Sequence, residues 1–208
     1  MGIVASMAGL RERKKEQTRQ RIAAVALELF AERGFDAVTV NEVAEAAEVA
    51  KATLFSYFPT KESLVLQGVG DDGLAGIAAG RPPGQTFLEA LRAHYRALAA
   101  VQVPAAELGA LLTRVRVIWD SPVLQGAASA LLYGQRQELA RALVGQYGET
   151  AAGLMAAQVA ASLLTLQESY FQRLLDGASA PDAQRALAGD VELAFDLLEQ
   201  GFNHLERK

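Results

Sequence analysis

Apolar residues recur along this chain with helical spacing almost from end to end. Ile22, Val25, Ala26, Leu29 and Phe30 stand at i, i+3, i+4, i+7 and i+8, one stripe of an amphipathic helix facing a core. Gly34 ends it. The pattern then shortens. Thr39 followed by Glu42 reads as a capping box, in which the hydroxyl accepts from the backbone N–H three residues on and the carboxylate reaches back. Val43, Ala44, Ala46 and Ala47 give the helix so started an apolar face; the run breaks at Glu48 and Val49, and a second helix begins at Ala50. Pro59 lacks an N–H and biases Phe58 away from helical angles, which stops that helix within about two turns. Two short helices on a tight turn, braced by a longer one, are a helix-turn-helix over Thr39–Lys61.

The same periodicity organises the remainder of the chain. Thr60 can cap a helix running through Leu64, Leu66, Val69 and Leu74, with Glu62 in its first turn, where a carboxylate suits the helix dipole. Gly80-Arg81-Pro82-Pro83-Gly84 is the clearest break. Helices are then expected from Thr86 to about Val101, from Pro104 to about Ile118, and from Pro122 to Tyr147. In Thr150–Asp176, Met155, Val159, Leu163, Leu166, Tyr170 and Leu174 form one stripe, and Ala157, Ala161, Leu164, Phe171 and Leu175 another. A helix apolar on two sides is buried on two sides. After Gly177 the chain restarts at Pro181, a favoured first helical residue, and Leu187, Val191, Ala194, Leu198, Gly201 and Leu205 repeat in fours and threes. No strand pattern persists, so the expected fold is all-α. It has an N-terminal three-helix domain with a helix-turn-helix at 10–60, after a disordered leader at 1–9, and a larger helical domain at 61–208.

Charge changes the picture at one place. The chain of 208 residues carries a formal net charge of −4, yet Leu10–Arg21 holds Arg11, Arg13, Lys14, Lys15, Arg19 and Arg21 against Glu12 and Glu16. A basic cluster of this kind attracts phosphate. Residues 66–208 hold 11 basic and 15 acidic side chains and the first 65 hold 9 of each, so the negative charge belongs to the larger domain, which should avoid DNA. The chain has no cysteine and two histidines, leaving no thiolate for a metal, a disulfide or a nucleophile. Neither a metal nor a cofactor is expected. His94 has no carboxylate at helical spacing and no glycine-rich phosphate loop follows a strand, so the chain is not expected to be an enzyme. The N-terminus lacks the pattern of a signal peptide. The longest weakly polar run, Ala151–Leu166, falls short of the ~18 residues of a membrane span, so a cytoplasmic protein without a membrane partner is expected.

A helix that enters the major groove reads base edges with residues near its N-terminus. On the second short helix those are Lys51, Ala52 and Phe55: a lysine can bond guanine O6 or N7, and a small residue permits approach to a thymine methyl. Thr39, Thr53, Tyr57 and Lys61 stand at the edges, where a hydroxyl, a phenol and an ammonium suit phosphate oxygens. Asn41 is a further candidate. Val43, Ala47, Val49, Leu54 and Phe58 are expected to pack the two helices together.

From about Arg19 to Leu64 the chain resembles the DNA-binding domain of the TetR family of regulators. Three segments carry the resemblance: the Phe30-x-x-x-Gly34-Phe35 end of the first helix, the Thr39-x-x-x-Val43-Ala44 start of the second, and Thr53-Leu54-Phe55-x-Tyr57-Phe58-x-x-Lys61-Glu62-x-Leu64. Two positions depart from the family pattern, Glu48 where the turn commonly carries Gly and Phe55 where the reading helix commonly carries Tyr. The segment Arg114–Leu124 and the last two helices are similar, less specifically, to regulatory domains of actinobacterial members that respond to acyl-CoA-like ligands.

The resemblance implies a ligand-responsive repressor that reads a palindromic operator on double-stranded DNA and is released by a small apolar or amphipathic effector. Residues 61–208 would be the ligand-binding and dimerisation domain. The apolar faces of the last two helices, wider than a monomer needs, point to a homodimer formed through them as a four-helix bundle; the alternative is that they only close the core of one chain. Candidate ligand residues are polar or aromatic groups among apolar neighbours: Tyr95, Arg114, Trp119, Tyr133, Gln167 and Phe171. Arg114 or Arg116 would meet an anionic part of such a ligand. The competing reading is a constitutive DNA-binding repressor, or an architectural protein, without a ligand.

Overall fold

The computed structural model describes residues 2–69 and 73–206. It contains ten helices and no strand among them: α1 (Gly2–Arg33), α2 (Val40–Ala46), α3 (Lys51–Tyr57), α4 (Ser63–Leu66), α5 (Leu74–Ala79), α6 (Phe87–Ala100), α7 (Ala105–Trp119), α8 (Pro122–Tyr147), α9 (Glu149–Leu175) and α10 (Ala180–Glu206). The side chains of the leader expected at 1–9, and of Arg11 and His204, lie outside the described residues. The chain divides into two compact units, one of residues 1–67 with 113–127 and the other of residues 68–112 with 128–208. The first unit thus runs past residue 60, where the sequence suggests a boundary, and takes in a second segment.

In the first unit, α1 packs on α2 and α4, and α2 packs on α3. The stripe of α1 supplies Ile22, Ala26 and Phe30 to the core; α2 supplies Val43 and Ala44, α3 supplies Leu54, and Phe58 follows. Each fully buried large side chain stabilises the unit by roughly 1.5–3 kcal/mol relative to exposure. Leu64, Val65 and Leu66 are also buried, which anchors α4 to the head. Val49 is only half-buried.

The helix expected from Thr60 through Leu74 is not continuous. It ends at Leu66 and the chain restarts at Leu74 behind Gly73, whose φ is +61°. Gly68, at φ +79°, leaves the helix in the left-handed region that glycine enters without a Cβ penalty. Three glycines and two aspartates between 68 and 73 outweigh the apolar spacing.

In the second unit, α6 packs on α5 and α10, and α9 packs on α10. Phe87, Leu88 and Leu91 of α6 meet Met155 and Val159 of α9 and Val191, Phe195 and Leu198 of α10 in one core. By length and composition α9 could cross a membrane, but Ala152, Met155, Ala156, Val159, Leu166 and Leu174 are buried in this helical unit. Charges tie α6 to α10 as well. Arg92 donates to Glu192, to Asp196 at 2.6 Å and to Glu199 at 3.1 Å, and Arg96 donates to Glu192. Those two arginines, Arg96 first, hold the Glu192 carboxyl down at about 2.

One stripe read from the sequence turns inward. Val191 and Leu198, expected on the seam between copies, are buried in the core of this same chain. The outward apolar residues of α10 are instead Leu193 and Leu197, 60% and 61% exposed.

Candidate DNA-reading face and effector cavity

The helix-turn-helix is set by its caps. Thr39 Oγ1 accepts from the Glu42 backbone N–H at 3.2 Å, and Glu42 accepts from the Thr39 backbone N–H at 2.7 Å, closing the capping box. The Thr39 hydroxyl also donates to Glu42, and Arg33 donates to the other carboxylate oxygen at 2.7 Å. These donors, the Thr39 backbone N–H first, hold the Glu42 carboxyl down at about 2. At the far end of α2, the Glu48 N–H bonds Glu45 O at 3.0 Å and the Val49 N–H bonds Ala44 O at 2.9 Å. That is a Schellman motif, whose geometry puts the residue after the C-cap in the left-handed region. Glu48 occupies that position at φ +52°, the one non-glycine residue at positive φ among the described residues. The family's glycine is missing there and the turn is nonetheless made.

The turn and the buried Leu54 and Phe58 fix which side of α3 faces solvent. Lys51, Ala52, Thr53, Phe55 and Ser56 are exposed together, as is Asn41 on α2. Tyr57 is half-buried. Thr39 is exposed, with its hydroxyl engaged in the cap on both sides.

Lys61 sits differently from the rest. Its ammonium donates to the Phe35 carbonyl and lies 4.2 Å from the Phe35 ring centroid and 5.6 Å from that of Phe30. Cation–π contact and the hydrogen bond make it a stitch between the end of α1 and the start of α4. Arg19, from the basic run, lies 5.7 Å over the Phe58 ring. Neither the Arg33–Glu42 pair nor these ring contacts shows as a spacing in the sequence, because each joins residues on different helices or turns.

The second unit has a cavity of about 220 Å³ that opens to solvent. Tyr95, Leu98 and Ala99 of α6 form one wall, Leu132 and Gln135 of α8 another, and Leu187 and Val191 of α10 a third. The longest wall is α9, through Ala160, Leu163, Leu164, Gln167, Tyr170 and Phe171, one face at spacings of three and four. Burial pushes the Tyr170 phenol up from its ordinary value.

Three of the six candidate ligand residues, Tyr95, Gln167 and Phe171, are therefore brought together. The other three are not. Arg114 and Trp119 belong to the segment 113–127 of the first unit; burial pushes the Arg114 guanidinium down from its ordinary value. Tyr133 is on the surface, its hydroxyl accepting from Gln137 at 2.6 Å and its ring lying 5.0 Å from the Arg136 guanidinium carbon. Gln135, Leu163 and Tyr170 were missed as lining residues. The signal for two of them was present, since Leu163 and Tyr170 stand four before and three after Gln167.

The chain is similar to known transcriptional regulators. The profile of the bacterial regulatory proteins of the tetR family matches residues 22–67. The chain is 28% identical over 205 residues to the putative mycofactocin biosynthesis transcriptional regulator MftR of Mycobacterium tuberculosis, covering 94% of this chain and 96% of that one. It is 37% identical over 92 residues to the transcriptional regulator TcmR of Streptomyces glaucescens, covering 43% of this chain and 41% of that one. Among solved structures, a TetR-family regulator from Streptomyces coelicolor, SCO0857, superposes with a TM-score of 0.54 at 28% identity, over 87% of this chain and 96% of that one. The chain belongs to the TetR family, DNA-binding transcriptional regulators and not enzymes, typically repressors, whose members act as dimers with small-molecule effectors.

Proposed function

We propose that this chain is a dimeric repressor that reads a pseudo-palindromic operator with α3 and is released when a small molecule fills the cavity of the second unit. The observation that carries the reading is the exposed set Lys51, Ala52 and Phe55 on a helix whose opposite side is locked by Leu54 and by Phe58 just beyond it. Lys51 reads a base edge, Ala52 and Phe55 approach a thymine methyl, and Asn41, Thr53 and Tyr57 take phosphate oxygens. Thr39 and Lys61 contribute mainly by holding the head, with donor capacity on the Lys61 ammonium left for a phosphate. Such a protein acts in the cytoplasm, on double-stranded DNA.

The dimer forms through α9 and α10. These helices run antiparallel, with Arg173 bonded to Asp190 at 2.6 Å towards one end and Gly201 beside Gln158 towards the other. Leu154 of α9 and Leu193 and Leu197 of α10, all about 60% exposed, are the apolar side chains that a second copy would cover. Pairing with a second copy buries them, and a palindrome with half-sites one DNA turn apart is what two copies of α3 would read.

Release needs an effector that binds the non-matching spacing of the heads more tightly, because equal affinity for both states shifts nothing. The cavity supports this reading over that of a constitutive repressor, for which a solid body is the simpler design. A gel shift on the DNA upstream of the chain's own coding sequence tests the proposal. Salt-sensitive binding to a palindrome there is expected, and absence of binding to any palindrome in that region would sink it.

A further inference from the structure

We propose that the cavity of the second unit takes a compact, uncharged, apolar group, and that any charged part of the effector stays outside it. This rests on the reading of that cavity as the effector site. The volume sets the size. About 220 Å³ lies below the roughly 300–1,000 Å³ of pockets for drug-sized ligands.

The lining sets the class. No Lys, Arg, His, Asp or Glu is among the residues that form the walls. The polar groups are carboxamides and phenols. Of these, the Gln167 carboxamide and the Tyr170 hydroxyl have no hydrogen-bond partner among the described residues, so they can serve one neutral donor or acceptor on the ligand.

Cations of the lining helices are engaged outside the cavity: Arg136 lies over the exposed Tyr133 ring and Arg185 pairs with Asp182. Arg92 and Arg96 are held by Glu192, Asp196 and Glu199, and Arg173 is held by Asp190. An ion entering the cavity would lose its water and meet no counter-charge, which is strongly unfavourable. Leu98 and Leu164, 44% and 40% exposed, line the cavity and also reach solvent, which makes an apolar mouth through which a longer molecule could leave its head outside.

Two sources share this chemistry: a compact neutral molecule, and the hydrocarbon tail of an amphiphile. Isothermal titration calorimetry on the intact protein separates them with three probes: 2-naphthol, 2-naphthoate and decanoyl-coenzyme A. Naphthol is expected to bind at least tenfold more tightly than naphthoate at pH 7. Decanoyl-coenzyme A that competes with naphthol identifies the amphiphile as the source; naphthol binding without that competition identifies the compact molecule.

Ala160→Trp fills the cavity from the α9 wall and should abolish naphthol binding while operator binding persists; Leu163→Phe is the second variant should the first fail to fold. Naphthoate binding as tightly as naphthol overturns the uncharged class and leaves the site standing. Failure of all three probes to bind protein that still holds its operator overturns the effector site itself, as does naphthol binding unaltered in a folded cavity-filled variant.

Discussion

Replacing Glu48 by glycine should stabilise the head, and the size of the gain is set by the turn. Glu48 sits at φ +52° with the two hydrogen bonds of a Schellman motif around it. An L-residue held there costs roughly 1–2 kcal/mol. Glycine removes that cost and adds back about 0.4–1 kcal/mol through the greater freedom of the unfolded chain. The Glu48 side chain is exposed and makes no hydrogen bond or ion pair among the described residues, so nothing else is lost. The net gain is about 0.5–1 kcal/mol, which at a urea m-value near 2 kcal/mol/M moves the midpoint up by about 0.3–0.5 M. Trp119, the chain's single tryptophan, lies in the same compact unit as the head, so its fluorescence reports the transition. Glu48→Ala keeps the strained backbone and should move the midpoint far less. A glycine variant no more stable than the alanine variant would refute the reasoning.

Other expectations concern function and pH. Lys51→Ala should relax base preference at one operator position by about 1–3 kcal/mol, whereas Lys61→Ala should weaken all operators alike; binding to a panel of operator variants separates the two. Lys61→Ala should also lower the urea midpoint of the Trp119 signal, because its ammonium holds Phe30 and Phe35. Leu197→Arg, exposed in the monomer, would place an unpaired guanidinium in the proposed seam and raise the dimer dissociation constant by a factor on the order of 10²–10³. Analytical ultracentrifugation reads this, and a dimer that persists unchanged places the interface elsewhere. Glu42 and Glu192 each have a carboxyl at about 2 against an ordinary 4.5. The folded protein therefore binds fewer protons than the unfolded chain between those values, and both contributions are present above about pH 4.5 and fade as pH falls towards 2. Urea midpoints across that window should fall with pH, and Glu42→Gln should flatten the fall seen by Trp119 while Glu192→Gln leaves that signal's slope unchanged.

The sequence by itself determined the local structure wherever the causes lie within a few residues. The Thr39–Glu42 capping box, the stop at Pro59, the core positions Val43, Ala47, Leu54 and Phe58, and the strained turn at Glu48 all arise from spacing and residue chemistry over one or two turns. Helical periodicity likewise revealed two apolar stripes on α9 and one on α10. It did not reveal which side meets what. Val191 and Leu198 face the chain's own core and Leu193 and Leu197 face out, because the packing of α10 on α6 and α9 assigns the stripes, and that packing joins residues a hundred positions apart. The cavity has the same origin. Tyr95, Gln167 and Phe171 share it, while Tyr133 and Arg114 do not, since a wall is made only where four helices converge. Lys61 shows the effect on a single side chain: its charge and place after α3 suggest a phosphate contact, and only the fold brings Phe30 and Phe35 under its ammonium.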